Sequence, residues 1–359
     1  MTALRTGIAT IALFAATPLT AQEITLYSGR GETLVAPLIE TFTESTGIEV
    51  NVRYGGTAEL AVLLNEEGAA SPADIYWAQD VAALGQIKPV FAELPGEMLE
   101  DIPAIYRDGD NRWTGTSGRM RLMVYSTERM QADELPATMA EMTDDRFAGT
   151  MALPPTNGSF LAHVTALRVH EGDEAARAWL QELADNDPVI VSNNTAIHTA
   201  IADGEADWGL TNNYYLSRFL ADDPDFPADH ALFEAGDIGN LMMVAGAGVL
   251  ESSDSPEAAM AFIEFLLSDT AQQYFAGNVH EYPVRGDAVA AFSGIGVDYG
   301  TASEAAIEFD LNELTDLEGT LGMLEEVGLL CACPKVFRSA ARRRIVPSPR
   351  APAFWSAPS

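Results

Sequence analysis

Short runs of apolar residues alternate with longer amphipathic stretches in the first part of the chain. The β-like runs cover residues 24–28, 48–52 and 74–79, and stretches with helical spacing of Leu and Phe lie between them at 34–42 and 57–67. Gly47 and the pair Gly55 and Gly56 stand where one element ends and the next begins. The order strand, helix, strand, helix, strand predicts a parallel sheet covered by helices.

The same order returns further along the chain. Residues 151–153, 189–192 and 208–211 are β-like, a helical pattern follows each of them, and 173–184 forms another helix. A later helix is predicted to begin at Ser255 and Pro256, and Gly277 is expected to stop the helix after it. Two apolar runs, 119–125 and 241–247, are expected to cross between the two parts. The pattern predicts an α/β fold of two lobes with a hinge and an interlobe cleft.

The two ends of the chain differ from its body in composition. Residues 1–21 combine one basic residue, an apolar run too short to span a bilayer and small residues before Gln22, which is typical of a cleaved signal peptide. Residues 331–359 hold six of the 20 basic residues and none of the 53 acidic ones. This basic, Pro-rich tail is predicted to be disordered or non-native, the alternative being a tail that meets the acidic body of the protein or an anionic partner.

We therefore predict four units along the chain. The signal peptide, 1–21, is followed by an N-lobe built from 22–118 plus 242–300, a C-lobe built from 119–241 plus 301–330, and the tail. The mature protein is expected to be exported to the periplasm and to act as a monomer.

Charge and motif content exclude several functions. A formal net charge of −33 argues against nucleic acid or an anionic membrane as the main partner, because phosphate binding requires clustered Lys and Arg. The two cysteines, Cys331 and Cys333, supply only half of a structural zinc site, and the five histidines lack the spacing of a zinc hydrolase. A hydrolase that uses Ser159 is kept as the weakest hypothesis. The sequence favours a binding protein over an enzyme.

Polar residues follow five of the predicted strands, where ligands bind in open α/β sheets. These segments are 27–32, 79–80, 156–159, 193–195 and 212–215. The adjacent Tyr214 and Tyr215 carry the most information, because phenolate is a hard anionic donor that suits a trivalent cation. The alternative interpretation is that Tyr215 and Phe219 form the apolar stripe of a short helix.

Two of these segments place small polar residues before helices. At 156–159 and at Asn194 and Thr195, free N–H groups at a helix N-terminus would favour an anion, and plain N-capping explains the same residues. Arg30, which lies between two glycines after the first strand, could supply positive charge to such an anion, or it could be a surface arginine.

Six short motifs in this order resemble the ferric-iron-binding periplasmic proteins of bacterial iron ABC importers. The motifs are Leu26-Tyr27-Ser28-Gly29-Arg30, Arg53-Tyr54-Gly55, Ser71-Pro72-Ala73-Asp74-Ile75, Ser117-Gly118-Arg119, Pro155-Thr156-Asn157-Gly158-Ser159-Phe160 and Asn212-Asn213-Tyr214-Tyr215. The resemblance covers about residues 22–330. It implies a transferrin-like site in which paired tyrosines bind Fe³⁺, a synergistic anion completes the shell, and a membrane permease receives the iron.

The resemblance also implies roles for individual residues. Tyr214 and Tyr215 match the iron-binding pair. Residues expected at the anion, carbonate or phosphate, are Arg30, Asn157, Gly158, Ser159, Asn194 and Asn212. Further cleft residues are expected to be Tyr27, Gln79, Asp80, Arg119 and Arg121. The chain departs from well-known members by aligning Gly31 with a histidine ligand and Gln79 with a glutamate ligand. A small organic cation, such as a polyamine or a thiamine-like molecule, is the alternative cargo.

Overall fold

The computed structural model describes residues 22–285 and 296–330. The predicted signal peptide and basic tail lie outside the described residues. The strands are β1 (Glu23–Ser28), β2 (Glu49–Tyr54), β3 (Ile75–Ala78), β4 (Thr114–Ser126), β5 (Met151–Leu153), β6 (Val189–Ile190), β7 (Trp208–Asn212), β8 (Ala228–Ala231) and β9 (Met242–Val249). The helices are α1 (Glu32–Thr46), α2 (Thr57–Glu67), α3 (Val81–Gln86), α4 (Gly158–Glu171), α5 (Asp173–Asp185), α6 (Asn194–Ala202), α7 (Tyr215–Asp222), α8 (Pro256–Leu266), α9 (Asp269–Tyr274), α10 (Tyr299–Ala305) and α11 (Leu317–Glu326).

The strands form one mixed sheet in the order β2-β1-β3-β9-β4-β7-β5-β6, with β8 paired to β4. Pairing is parallel among β1, β2 and β3 and among β5, β6 and β7, as the sequence predicts. The long strand β4 pairs with β9 from Thr114 to Met120 and with β7 from Arg121 to Tyr125, in both cases antiparallel. The sheet therefore has two halves that meet in the middle of β4.

Aromatic packing fixes the helices of the first half against the sheet. The ring of Phe42 on α1 meets Phe262 on α8 edge to face at 5.0 Å, and Trp77 on β3 meets both Phe262 and Phe275 at 6.1 Å. A separate, smaller core beneath α6 and α7 in the second half contains Val124, Ala152, Ile197, Ile201 and Leu216. The larger core runs through both halves, and this smaller one adds buried apolar surface that stabilises the second half.

Most predicted elements are confirmed, and three details are corrected. The strand predicted at 189–192 is only two residues long, because the polar backbone after Ile190 turns into α6 at Asn193. Gly277 does not stop α9: it lies inside a π-helical turn over Phe275–Val279 that ends at His280 in the left-handed conformation, φ 61°. Antiparallel β4, β8 and β9 also make the sheet mixed rather than parallel.

The last described segment contacts both halves of the molecule. Helix α11 packs on α4, and Thr320 Oγ1 lies 2.8 Å from Thr165 Oγ1. Asn312, just before α11, donates instead to the carbonyl of Arg107 in the first half.

The division of the chain into lobes stays a prediction. Within the described residues, no helix is both long enough and apolar enough to cross a bilayer.

Candidate functional site

A cavity of about 280 Å³ lies between the two halves of the sheet. Its lining residues are Leu34, Gln79, Asp80, Arg119, Asn157, Gly158, Ser159, Tyr214, Tyr215 and Arg218. The first three follow strands of the first half, Arg119 lies on β4, and the others follow β5 and β7 in the second half. The carboxyl ends of the strands therefore converge on one space, as expected for an open α/β sheet.

The paired tyrosines stand side by side at this cavity. Tyr214 is the residue before α7 and Tyr215 is its first residue, and their rings stack with centroids 4.6 Å apart and planes inclined by 27°. The turn between β7 and α7 brings together two side chains that a regular strand would direct to opposite faces. Tyr215 and Phe219 also share a contact with His198, so the alternative of an apolar stripe describes part of α7.

The two phenols differ in their surroundings. Tyr214 is 7% exposed, whereas Tyr215 is partly exposed. Burial raises the pKa of Tyr214 above its ordinary value, the neighbouring Tyr215 and the Glu281 carboxylate raise it further, and Arg119 lowers it. The Tyr214 hydroxyl hence carries its proton near neutral pH unless a cation displaces it.

Asn212 links the tyrosines to the rest of the second half. Its Nδ2 donates to the Tyr214 hydroxyl at 3.3 Å and to Ser159 Oγ at 3.1 Å, while its Oδ1 accepts from Arg121 Nη1 at 2.9 Å. Arg121 is fully buried, and burial lowers its pKa. Asn212 thus orients the tyrosine hydroxyl, and Arg121 lies beneath the site without lining the cavity.

Arg119 is the arginine that faces the cavity from β4. Its side chain is buried, with the residue 2% exposed, and its Nε and Nη1 have no hydrogen-bond partner among the described protein atoms. A buried guanidinium is stable only when its charge and its donors are compensated. Arg119 lines the cavity that also holds the two phenols, and a guanidinium with unpaired donors there fits an oxyanion.

The start of α4 forms the opposite wall. Asn157 caps this helix by accepting from the Ser159 backbone N–H at 3.1 Å, and Gly158 and Ser159 line the cavity. N-capping therefore accounts for the Asn157 side chain, and the helix N-terminus adds a partial positive charge that favours an anion. Ser159 Oγ accepts from Asn212, and His163 on the same helix contacts Arg121 and the Ile238 carbonyl instead of Ser159.

Besides Arg121 and Asn212, three predicted residues lie away from the cavity lining. Arg30 is buried and donates from Nη2 to Glu281 Oε2 at 2.7 Å. Asn194, the first residue of α6, is fully buried with an unpaired side-chain amide. The Tyr27 hydroxyl lies 3.1 Å from Glu67 Oε1. Their predicted contact with an anion or the cleft has no support in this arrangement.

The first half contributes Gln79 and Asp80 to the wall. Asp80 caps α3 by accepting from the Ala83 backbone N–H at 3.2 Å, so its carboxylate is already engaged. Gly31 caps the start of α1 and offers no side chain. Within residues 22–285 and 296–330, no three His, Cys, Asp or Glu side chains cluster as a metal site.

Sequence reasoning missed Arg218 and Glu281. The Arg218 guanidinium lies 5.1 Å from the Tyr214 ring centroid and 5.3 Å from that of Tyr215, and it lines the cavity mouth. Arg218 lies four residues after Tyr214 and three after Tyr215, which places it on the same helix face. This spacing in the sequence could have identified Arg218 as a site residue. Glu281 follows no strand or motif, and only the fold brings it to Arg30.

Two half-sheets joined by crossing strands, with a polar cavity lined from both, define a two-lobed protein that binds a ligand between its lobes. The chain belongs to the family of bacterial extracellular solute-binding proteins, whose model matches residues 37–298.

Within this family, the chain is similar to several proteins whose names refer to iron. The chain is 32% identical over 316 residues to iron uptake protein A1 of Synechocystis, covering 84% of each chain, and 29% identical over 301 residues to the major ferric iron-binding protein of Neisseria meningitidis, covering 81% of this chain and 89% of that protein. Its fold is similar to that of iron-bound HitA from Pseudomonas aeruginosa, with a TM-score of 0.79, 29% identity, and coverage of 86% and 99%. The resemblance and the two-lobed fold class predicted from the sequence are confirmed.

Proposed function

We propose that this protein is the periplasmic substrate-binding component of an ABC importer for ferric iron. In this proposal the phenolates of Tyr214 and Tyr215 bind Fe³⁺, and an anion held by Arg119 completes the shell. The single observation that carries the proposal is the stacked tyrosine pair facing a buried guanidinium with free donors across one cavity. The names of the relatives, which refer to iron uptake and ferric iron binding, support the choice of cargo.

The donor set explains why an anion is needed. Ferric iron takes roughly six hard ligands, of which the tyrosines supply two. Gln79 replaces a carboxylate in the first half, and Asp80 is engaged in capping α3. Carbonate or phosphate would fill further positions while its remaining oxygens accept hydrogen bonds from Arg119 and from the start of α4. Ser159 and Asn212 would lie beside this anion.

A small organic cation fits the cavity less well. Arg119 and Arg218 both line it, and they would repel a polyamine or a thiamine-like molecule. The relatives are solute-binding proteins rather than enzymes, which supports a non-enzymatic role. Membership in the family and the predicted export signal support delivery of iron to a membrane permease.

Colour provides the direct test. Purified protein lacking the signal peptide, mixed with one equivalent of ferric iron and either carbonate or phosphate, is expected to develop a visible tyrosinate-to-iron absorption band. Tyr214→Phe and Tyr215→Phe should each weaken or abolish this band. Tyr125→Phe, which alters a tyrosine near the far end of β4, is the matched control and should leave it intact.

The proposal fails if the native protein stays colourless and its melting temperature is unchanged by ferric iron with either anion. A melting-temperature increase with a polyamine but not with iron would support the alternative cargo.

A further inference from the structure

Asn213 connects the turn that carries the two tyrosines to the middle of β4. It is the second residue of this tyrosine turn, 212–215, and it is 9% exposed. Its backbone N–H donates to the Met120 carbonyl at 3.1 Å, and its side-chain Oδ1 accepts from the Met120 N–H at 3.0 Å. Met120 is the last residue of β4 that pairs with β9, so these two bonds reach the place where the halves of the sheet meet.

The other polar atom of the Asn213 side chain reaches the first half of the molecule. Its Nδ2 donates to the His280 carbonyl at 2.8 Å. The orientation of the amide is determined by its partners, because the N–H of Met120 can only donate and the carbonyl of His280 can only accept. One buried amide therefore binds both the centre of β4 and a residue outside the sheet.

The segment that contains His280 belongs to the first half. Before it, the ring of Phe275 packs edge to face on Trp77 of β3, with centroids 6.1 Å apart. After it, Tyr282 exchanges two backbone hydrogen bonds, at 2.6 and 2.7 Å, with Gly118 in the part of β4 that pairs with β9. Because His280 is anchored on both sides, its carbonyl is a fixed acceptor for the tyrosine turn.

Other contacts hold the tyrosine turn from within the second half. Asn212 donates to the Tyr214 hydroxyl at 3.3 Å, and Ser217 Oγ donates to the Tyr214 carbonyl at 2.8 Å. Among the residues that the structure describes, the hydrogen bond from Asn213 to His280 is the one that joins a side chain of this turn to the first half outside β4.

We propose that Asn213 is a positioning residue that holds the tyrosine pair opposite the first half of the molecule. This inference rests on the function proposed above. With the bond to His280 in place, the tyrosine turn stays where Gln79 and Asp80 form the other wall of the cavity. Without this bond the turn is free to move with the second half, and the arrangement that binds iron becomes a smaller fraction of the iron-free protein.

The test removes the side-chain amide and measures how iron is bound. Asn213→Ala loses the bonds to Met120 and His280, so the apparent affinity for ferric iron at saturating carbonate should fall about tenfold, the factor expected for a buried hydrogen bond. Competition with a chelator measures this affinity. The absorption band still forms because both phenols remain, but its maximum should shift, since the tyrosines meet the ion in an altered geometry. Small-angle X-ray scattering of the iron-free variant should give a larger radius of gyration than that of the native protein.

Asn240→Ala is the matched control for the loss of a buried amide. Asn240 is fully buried, its Nδ2 donates to the carbonyls of Phe233 at 3.0 Å and Glu234 at 2.9 Å, and it does not line the cavity. This variant should lose at least as much stability in urea denaturation as Asn213→Ala. Its iron affinity should stay within about twofold of the native value, with an unchanged band maximum and radius of gyration.

The outcomes separate this inference from the proposed function. If Asn213→Ala keeps the native affinity and band maximum while Tyr214→Phe abolishes the band, only this inference is wrong. If Asn240→Ala shifts the band and weakens iron binding as much as Asn213→Ala does, Asn213 is merely structural and this inference is again wrong. If the tyrosine variants keep the band, the proposed function itself is wrong. Should Asn213→Ala fail to fold, Asn213→Ser, whose hydroxyl is too short to reach the His280 carbonyl, decides by the same measurements.

Discussion

At the scale of single residues, the site combines groups that are costly to bury unless a ligand arrives. Tyr214 is buried with a raised pKa, and Arg119 is buried with free donors. Each would be stabilised by an opposite charge, and a ferric ion with an oxyanion supplies both charges at once. The empty site is therefore poised for a charged pair rather than for a neutral solute.

The raised pKa of Tyr214 predicts how iron binding depends on pH. Because the buried Tyr214 phenol has a raised pKa, Fe³⁺ must displace its proton, and lower pH favours the protonated, iron-free form. Apparent affinity at saturating anion should therefore fall on acidification, by about tenfold per pH unit for the one proton that leaves Tyr214. A titration of the absorption band between neutral and acidic pH measures this, and an affinity independent of pH would contradict it.

Substitution of Arg119 is expected to change iron affinity without lowering the stability of the iron-free protein. Arg119→Gln should lower iron affinity at least tenfold, because the anion loses its buried countercharge. The unfolding free energy of the iron-free variant should not decrease, because a buried cation without partners has been removed. Iron titration at several carbonate concentrations and urea denaturation are the measurements.

Arg177→Gln is the control for Arg119→Gln, since it removes a guanidinium from an exposed ion pair with Glu326 on the far side of α5 and should change neither property. A loss of stability in Arg119→Gln that accounts for the loss of iron binding would contradict the proposed role.

At the scale of elements, the local sequence pattern predicted helix ends and turns, because neighbouring residues determine them. Helix α2 begins and ends at the predicted residues because Gly56 and Gly68 flank an apolar repeat, and Gly47 ends α1 with φ 74°. The tyrosine turn after β7 was also predicted, since polar residues after a buried strand mark a ligand edge. Strands as short as β6 carry too few residues for a period to be recognised.

Contacts between residues far apart in the chain could not be predicted from the sequence pattern. Arg30 was expected at the anion because it follows β1, yet its partner Glu281 lies 251 residues later. Nothing in the π-helical turn over Phe275–Val279 signals that the next residues will reach β4. Arg119 and Arg121 are indistinguishable in sequence, and alternate positions on β4 place both on one side. In the structure, Arg121 donates to Asn212 and to the Leu210 carbonyl. Arg119 makes neither contact, and it is the arginine of this pair that lines the cavity.

At the scale of the whole molecule, the cavity belongs to both halves of the sheet. Leu34, Gln79 and Asp80 come from the first half, and the tyrosines and the start of α4 come from the second. The halves are connected through β4, which pairs with β9 in the first half and with β7 in the second. A ligand that contacts both walls would therefore resist their separation, so iron binding should stabilise the molecule as a unit.

This coupling predicts a thermal shift that requires both ligands. Ferric iron at roughly a thousand times its dissociation constant should stabilise the folded protein by about 4 kcal/mol, which corresponds to a rise in melting temperature of roughly 10 °C. Iron without carbonate or phosphate should give a much smaller rise, because Arg119 and the start of α4 would stay unbound. Differential scanning calorimetry of the native protein and of Tyr215→Phe measures the effect. An equal rise in the variant would mean that iron stabilises the protein from another place, since the removed hydroxyl belongs to the proposed shell.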